Sequence, residues 1–198
     1  MALFQEKLVL DLPQGNVIYY PLFFSMEEAD QYFQVLKEKV PWQLDQIKVF
    51  GKTYDQPRLT SLFANNGKSY SYSGITMTPN TFSPELLQIK RKVEEMAGTD
   101  FTTCLLNLYR DGKDSNGWHA DDEKELGKNP IIASVSFGAS RYFHLRYKSD
   151  KAKKHKILLE HGSLLLMQGE TQHFWQHQIA KTAKKVGERI NLTFRVIH

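Results

Sequence analysis

Beyond Gly98 the sequence divides into short runs of apolar or alternating residues that are separated by turn-forming residues. The runs cover residues 101–109, 131–138, 141–147, 155–160, 163–168, 173–179 and 189–197. Many short strands in one half of a chain predict a β-barrel or jelly roll. The expected fold class is therefore α+β and mainly β, with residues 101–198 forming the β core.

The last of these runs carries two arginines on a strand. Side chains alternate between the two faces of a strand, so the polar residues of this run share one face; they are Arg189, Asn191, Thr193 and Arg195. Because a guanidinium binds a carboxylate with two directed hydrogen bonds, this face suits a small dicarboxylate. The alternative is a barrel strand whose arginines pair with neighbouring acidic residues.

Two helices are predicted before Gly98. Ser25 and Glu28 form a capping-box pattern, which predicts a helix over residues 26–39. Ser83 and the following Pro84 signal the start of a second helix, which Gly98 ends. Both helices are expected to pack outside the barrel. Residues 43–82 are rich in aromatic, Gly, Ser, Asn and Pro residues and predict hairpins and loops rather than core.

Size, charge and cysteine content define the general class of protein. A length of 198 residues fits a single domain over residues 1–198. The net charge of +4 permits a polyanionic partner but does not require one, because basic residues are also common on soluble surfaces. The lone Cys104 rules out an internal disulfide and favours a reducing compartment. No signal peptide or membrane-spanning run is present in the sequence, so we expect a cytoplasmic protein.

His119 and Asp121 form a His-x-Asp pair after a glycine-containing turn. On a strand both side chains lie on one face, and two imidazoles with one carboxylate form the facial triad of iron oxygenases. The second histidine must come from a distant strand. The candidates are His144, His155, His161, His173 and His177. The pattern alone leaves His173 and His177 nearly tied, since they are four residues apart and are expected to share a strand face.

Asn107 and Tyr109 also share a strand face, at the end of the run 101–109. Both side chains can hydrogen-bond a carboxylate from a strand beside the arginines. A metal triad next to a dicarboxylate pocket predicts an oxygenase that uses Fe(II) and 2-oxoglutarate, because the triad leaves metal positions for a chelating co-substrate.

At these residues the chain resembles the AlkB family of Fe(II)/2-oxoglutarate-dependent dioxygenases. The matching stretches are Asn107 to Tyr109, His119 to Glu123, Ile132 to Gly138, His161 to Leu165, His177, and Arg189 to Arg195. A fainter resemblance links the N-terminal half to the subgroup that repairs alkylated double-stranded DNA. It covers Val49 to Lys52, Pro57-Arg58 and Tyr70 to Gly74.

The resemblance implies the roles of several residues. It selects His177 over His173 as the distal metal ligand, and it makes Arg189 the partner of the distal carboxylate of 2-oxoglutarate. Four further residues would complete that pocket: Asn107, Tyr109, Thr193 and Arg195. The resemblance also implies a double-stranded β-helix core and a nucleotide-recognition lid at about residues 45–80.

The implied reaction is oxidative demethylation of bases such as 1-methyladenine and 3-methylcytosine in DNA. It couples 2-oxoglutarate and O2 to succinate, CO2 and formaldehyde. The target base must leave the stack to reach the iron, and an apolar side chain would then fill the gap. Phe50 is the candidate, with ordinary core packing as the alternative.

Other residues are predicted to contact the substrate. Tyr70 and Tyr72 would stack on or hydrogen-bond the flipped base, or else pack the lid hairpin. Asp122 would favour a cationic methylated base over a neutral base. The resemblance adds Lys52 and Arg58 to this set.

Two lysine-rich stretches are expected either to contact phosphates or simply to be solvated. They are Lys148, Lys151, Lys153, Lys154 and Lys156, and then Lys181, Lys184 and Lys185. The competing functions are the same chemistry on RNA or on a protein side chain, and a non-catalytic nucleic-acid-binding β-barrel. We expect the protein to act as a monomer.

Overall fold

Two facing antiparallel sheets form the centre of the fold. The computed structural model describes residues 6–49, 52–67, 70–72 and 75–198. The larger sheet has seven strands in the order β1-β2-β13-β10-β15-β8-β5. In that order the strands are Leu8–Val9, Asn16–Tyr20, Ser163–Gln168, Ile132–Gly138, Arg189–Arg195, Thr103–Tyr109 and Leu59–Ala64.

The smaller sheet has four strands in the order β12-β11-β14-β9. They are Lys154–Leu159, Arg141–Tyr147, Trp175–Ile179 and Asn116–His119. Two hairpins complete the described strands: β3 (Gln46–Val49) pairs with β4 (Lys52–Asp55), and β6 (Tyr70–Tyr72) pairs with β7 (Ile75–Met77). The predicted jelly-roll architecture is confirmed.

Both predicted helices are confirmed at their expected bounds. Helix α1 spans Met26–Lys39, and the Ser25 side chain accepts a hydrogen bond from the Glu28 amide while the Glu28 side chain accepts one from the Ser25 amide. Helix α2 spans Pro84–Ala97 and ends at Gly98, which adopts the left-handed conformation. A short helix α3, Thr171–Phe174, precedes β14. Local capping chemistry therefore determines where α1 and α2 begin.

The larger sheet is buried on both faces. Its outer face packs on α1 and α2 through residues such as Leu36, Ile89 and Leu192. Its inner face packs on the smaller sheet, where Leu165 and Leu145 belong to a second apolar cluster. Strands covered on both sides need apolar residues on both faces, so the polar inner face of β15 is an exception that marks a site.

The prediction that residues 43–82 lie outside the core is wrong for β5. Leu62 and Phe63 are buried, and β5 forms the edge of the larger sheet beside β8. The strand was missed because loop-forming residues lie on either side of it and because its apolar residues do not alternate with polar ones. The sequence reading also missed β1 and β2, of which β2 pairs with β13. Among the described residues, no helix has the length and apolar character needed to cross a membrane.

Gly138 ends β10 in a conformation that only glycine adopts easily. Its φ is +85°, and an added Cβ would lie 2.4 Å from the Glu188 carbonyl oxygen and 2.6 Å from the Phe33 ring. We expect Gly138→Ala to lower the free energy of unfolding by about 2 kcal/mol or more, because of backbone strain and this clash. Urea unfolding measures the change. Gly117→Ala is the matched control, since no atom lies within 4 Å of its added Cβ; equal stability of the two variants would contradict the prediction.

Candidate metal and 2-oxoglutarate site

The His-x-Asp pair and His177 meet between the sheets. His119 ends the edge strand β9 directly opposite His177 on β14, and their ring centroids are 4.2 Å apart. Asp121 lies just beyond β9. One ligand atom from each of the three side chains lies within 4.8 Å of the other two. Two imidazoles and one carboxylate at this separation fit a single iron ion.

The protonation states of the triad suit metal binding. Burial lowers the pKa of His177 to about 3, and burial also lowers the pKa of His119. Burial acts to raise the pKa of Asp121, but Arg195 and the two histidines bring that pKa down to about 2. At neutral pH the site therefore holds two neutral imidazoles and one carboxylate, the forms in which these groups bind metal.

Several neighbours orient the two imidazoles. His119 Nδ1 lies 2.8 Å from the Gly117 carbonyl oxygen, so Nδ1 carries the proton and Nε2 carries the lone pair that could bind a metal. The Phe143 ring stacks on His177 at 5.0 Å.

On the outer face of the sheet Arg146 lies 4.2 Å from the Trp118 ring. Arg146 also donates two hydrogen bonds to the side-chain oxygen of Gln176, at 3.0 and 2.9 Å, and so ties β9 to β14 beside both histidines.

Arg189 is a cationic residue of the cavity wall whose hydrogen-bond donors are not all used. Its side chain is 1% exposed and donates one hydrogen bond to Ser136 Oγ at 2.9 Å. Its Nε and Nη1 atoms form no hydrogen bond within the described part of the chain. Burial lowers the pKa of Arg189 to about 10, and the nearby Tyr109 partly offsets this, so Arg189 is a cation at neutral pH. Buried donors without acceptors fit the distal carboxylate of 2-oxoglutarate.

Arg195, in contrast to Arg189, forms an ion pair with Asp121 of the triad. It donates from Nη2 to Asp121 Oδ1 at 2.8 Å, and both side chains are nearly inaccessible to solvent. The two arginines of β15 thus have different surroundings in this structure. Arg189 faces Ser136 and Tyr109, whereas Arg195 touches the carboxylate of the triad.

Asn191 and Thr193 lie on the same face between the two arginines. Thr193 donates to the Asn191 side-chain oxygen at 3.0 Å, while the Asn191 amide donates to Ser134 Oγ and to the Val135 carbonyl. The four polar residues of β15 all line the cavity, as the alternation of the strand predicted.

The neighbouring strand β8 brings Asn107 and Tyr109 to the cavity. Asn107 pairs with Asn191 across the sheet, and Tyr109 pairs with Arg189. Arg58, predicted as a substrate contact, also lines the cavity, and its Nε donates to Asn107 Oδ1 at 2.8 Å. Arg58 therefore lies on the wall formed by β8.

Sequence reasoning missed residues on β10 that complete the cavity. Ser134 and Ser136 are opposite Thr193 and Asn191 in the sheet and hydrogen-bond the polar residues of β15. The signal was present in the run Ile132–Gly138, where two serines alternate with apolar residues just as the polar residues of β15 do.

The other histidine candidates lie elsewhere. The expectation that His173 shares a strand face with His177 is wrong, because His173 belongs to α3, is exposed, and contacts the Asn129 side chain at 2.8 Å. His144 alternates with the buried Leu145 and therefore lies on the outer face of β11. His161 occupies a turn, where its Nδ1 accepts a hydrogen bond from the Gly138 amide.

The predicted substrate contacts are only partly described. Phe50 lies outside the described residues. Lys52 belongs to β4, and Tyr70 and Tyr72 belong to β6, so these three residues are on the two hairpins of the expected lid. The Asp122 carboxylate is half exposed and forms an ion pair with Lys148 at 2.8 Å.

Comparisons with known proteins agree with this geometry. Residues 16–195 match the model of the 2OG-Fe(II) oxygenase superfamily. The chain is 44% identical over 193 residues to the alpha-ketoglutarate-dependent dioxygenase alkB homolog 3 of Bos taurus, covering 93% of this chain and 67% of that protein. It is 38% identical over 194 residues to the DNA oxidative demethylase ALKBH2 of Mus musculus, covering 93% of this chain and 81% of that protein.

A solved structure shares the fold. The structure of OsALKBH1 superimposes with a TM-score of 0.64 at 16% identity, covering 95% of this chain and 99% of that chain. A jelly roll with this triad and this family match defines an iron- and 2-oxoglutarate-dependent dioxygenase. The chain belongs to the AlkB family of these enzymes, and its cofactors are those predicted from the sequence, Fe(II) and 2-oxoglutarate.

The lowered histidine pKa values predict how the metal-free protein responds to acid. The pKa of His177 is about 3 in the folded protein and 6.5 ordinarily, so below pH 6.5 the unfolded chain binds a proton that the folded chain does not. The free energy of unfolding should therefore fall as pH drops from 6.5 to 5, by up to about 1.4 kcal/mol per pH unit for this histidine. Denaturant unfolding with a chelator present measures it. His177→Gln should flatten the dependence, and an unchanged slope in this variant would refute the assignment.

Proposed function

We propose that the protein removes methyl groups from ring nitrogens of alkylated bases in DNA by oxidation. The observation that carries the proposal is the convergence of the His119, Asp121 and His177 triad with the Arg189 guanidinium in one cavity. The relative named above as DNA oxidative demethylase ALKBH2 supports DNA as the substrate class.

Fe(II), when bound, supplies the oxidative chemistry, in which 2-oxoglutarate and O2 become succinate and CO2 while one oxygen atom of O2 enters a substrate C–H bond. The hydroxylated N-methyl group then leaves as formaldehyde. Its carbon–nitrogen bond breaks, the electron pair returns to the base nitrogen, and the hydroxyl proton passes to water. The base is restored without any cut in the strand.

The protein's own share is to bind and orient these groups. His119, Asp121 and His177 would hold the iron, with Arg195 keeping Asp121 ionised and in position. Arg189, with Ser136 and Tyr109 beside it, would bind the distal carboxylate of 2-oxoglutarate. The remaining polar residues of the wall would complete that pocket: Asn107, Asn191, Thr193 and Arg195.

We propose that the lid contacts the flipped base and the gap that it leaves in the duplex. The hairpins β3–β4 and β6–β7 carry Lys52, Tyr70 and Tyr72, which are assigned as base contacts. Phe50, outside the described residues, is assigned as the wedge that fills the gap. Arg58 is assigned to the same group. Asp122 would attract the positive charge of a cationic base. It would do so while it is also paired with the Lys148 ammonium group.

The lysine-rich stretches lie at opposite ends of the smaller sheet. One stretch occupies the β11–β12 hairpin, and the other follows β14. Because β14 runs antiparallel to β11, the end of β14 and the end of β11 lie at opposite ends of the sheet, so the two stretches lie on either side of the triad. This arrangement suits contacts with phosphates on both sides of a base in the cavity. Lys148 is already engaged by Asp122, which leaves Lys153 and Lys154 as the nearest candidates on the hairpin.

Formaldehyde release tests the proposed function. Oligonucleotides that carry 1-methyladenine or 3-methylcytosine, supplied as single strands and as duplexes, should release formaldehyde in the presence of Fe(II), 2-oxoglutarate and O2. His177→Ala should reduce the rate by at least 100-fold because a metal ligand is lost, whereas His144→Ala, a histidine on the outer face, should retain it. Release only from methylated RNA would reassign the substrate. Succinate formation without formaldehyde release from any of the methylated oligonucleotides would show oxygenase chemistry while removing the DNA assignment.

DNA affinity should depend steeply on salt if the lysines bind phosphates. The slope of log affinity against log salt should be shallower by about two for a Lys153→Ala and Lys154→Ala double variant, because each phosphate contact in a duplex contributes about 0.9 to the slope. Binding titrations from 50 to 200 mM NaCl would measure it. Arg91→Ala on α2, which packs behind the larger sheet, is the control. A double variant with the wild-type slope would exclude these lysines.

The cytoplasmic location and the monomeric state stay predictions. So does the division of the chain into a lid at about residues 45–80 and a catalytic core at residues 101–198, with the qualification that β5 belongs to the larger sheet.

A further inference from the structure

Asp121 is the residue of the triad whose backbone has no strand pairing to hold it, since it lies beyond the end of β9. His177 lies within β14, but β9 pairs with β14 through only two residue pairs with a bulge between them, and the chain leaves the sheet after His119. The Asp121 side chain must nevertheless keep its position relative to both imidazoles. Arg195 of β15 holds the carboxylate through its ion pair, and contacts outside the sheets hold the backbone on either side of it.

Gln172 supplies one of them. Its side-chain oxygen accepts a hydrogen bond from the Asp121 backbone amide at 2.9 Å, and its side chain is 1% exposed. Its amide nitrogen lies 3.5 Å from the sulfur of Met167, a residue of the cavity wall. Gln172 belongs to α3, five residues before His177. One side chain thus connects the segment carrying Asp121 to the segment carrying His177.

Lys148 supplies the second contact, from the end of β11. Its ammonium group donates to Asp122 Oδ2 and to the Gln172 backbone carbonyl, both at 2.8 Å. Its backbone amide also donates to the Phe174 carbonyl at 2.8 Å. Lys148 therefore holds the residue after Asp121 and the residue that binds the Asp121 amide.

We propose that Gln172 and Lys148 are positioning residues that hold Asp121 in ligand geometry before the metal binds. The inference rests on the proposed metal site. Neighbours that orient metal ligands typically change metal affinity by about 10- to 100-fold when they are removed. The alternative is that the two residues only stabilise the fold, as a buried amide and a partly exposed ion pair also do.

Metal affinity separates the two possibilities. We would titrate the metal-free protein with Mn(II) by calorimetry and record the visible spectrum of the Co(II) form, which reports the ligand geometry. Gln172→Met keeps the side-chain length but loses the acceptor for the Asp121 amide. Lys148→Met keeps the aliphatic stem but loses the charge and its donors. Each should weaken Mn(II) binding by about 10-fold or more.

Controls and a double variant sharpen the test. Lys151→Met removes an exposed lysine from the same hairpin and should leave Mn(II) affinity within twofold of the wild type. Lys148→Arg restores a cation with several donors and should recover affinity. In the double variant the two losses should be less than multiplicative, because both residues act on the same segment.

The outcomes are distinct. If both variants bind Mn(II) within twofold of the wild type while their unfolding free energies fall, the two residues serve the fold alone and the proposal is overturned. Lys148→Met alone still tests the idea if Gln172→Met fails to fold, since Lys148 is partly exposed. Absence of Mn(II) binding by the wild-type protein would instead overturn the metal site itself.

Discussion

The buried ion pair between Arg195 and Asp121 is the interaction on which the site depends. A carboxylate placed between two sheets would normally be protonated, because burial disfavours the charged form. Arg195 reverses this by donating to Asp121 Oδ1 at 2.8 Å, and the pKa of Asp121 falls to about 2. The strand of the candidate 2-oxoglutarate pocket therefore also maintains the charge of Asp121 in the candidate metal triad, which couples the two halves of the site.

The architecture explains how so much charge is accommodated in a core. The larger sheet gives its outer face to the helices and its inner face to the smaller sheet, so β15 is buried on both sides. Ser134, Ser136 and Asn107 on the neighbouring strands provide a polar lining, and the Arg189 and Asn191 side chains donate hydrogen bonds to the two serines. Arg189 keeps two donors without acceptors among the described residues, which makes it the point where an anion binds most favourably.

Several features were predictable because their signals are local. The capping box at Ser25 and the proline and glycine around α2 specify helix ends through hydrogen bonds within a few residues, and the structure has them at the predicted bounds. Alternation along residues 189–195 predicted which side chains share a face, and all four polar ones line the cavity. The His-x-Asp pair was visible for the same reason.

Non-local features escaped the sequence. The strand pattern by itself could not separate His173 from His177, a choice that the family resemblance made, because a short helix interrupts the run 173–179 and α3 removes His173 from the strand. The role of β5 in the larger sheet depends on its pairing with β8, a strand far away in the sequence. Lys148 lies 26 positions from Asp122, and nothing in either local pattern indicates that they pair.

The amino-acid sequence by itself determined the chemical inventory of this protein: a facial ligand pair, a strand face with two arginines, and a chain rich in short strands. These follow from side-chain chemistry and from the two-residue period of a strand, which neighbouring residues express without help from the rest of the chain. The strand pattern left His173 and His177 open, and the family resemblance selected His177. Only the tertiary structure decided which arginine pairs with Asp121, and which one keeps donors without acceptors among the described residues. Those outcomes depend on strand register and on burial, which arise when segments far apart in the chain pack together.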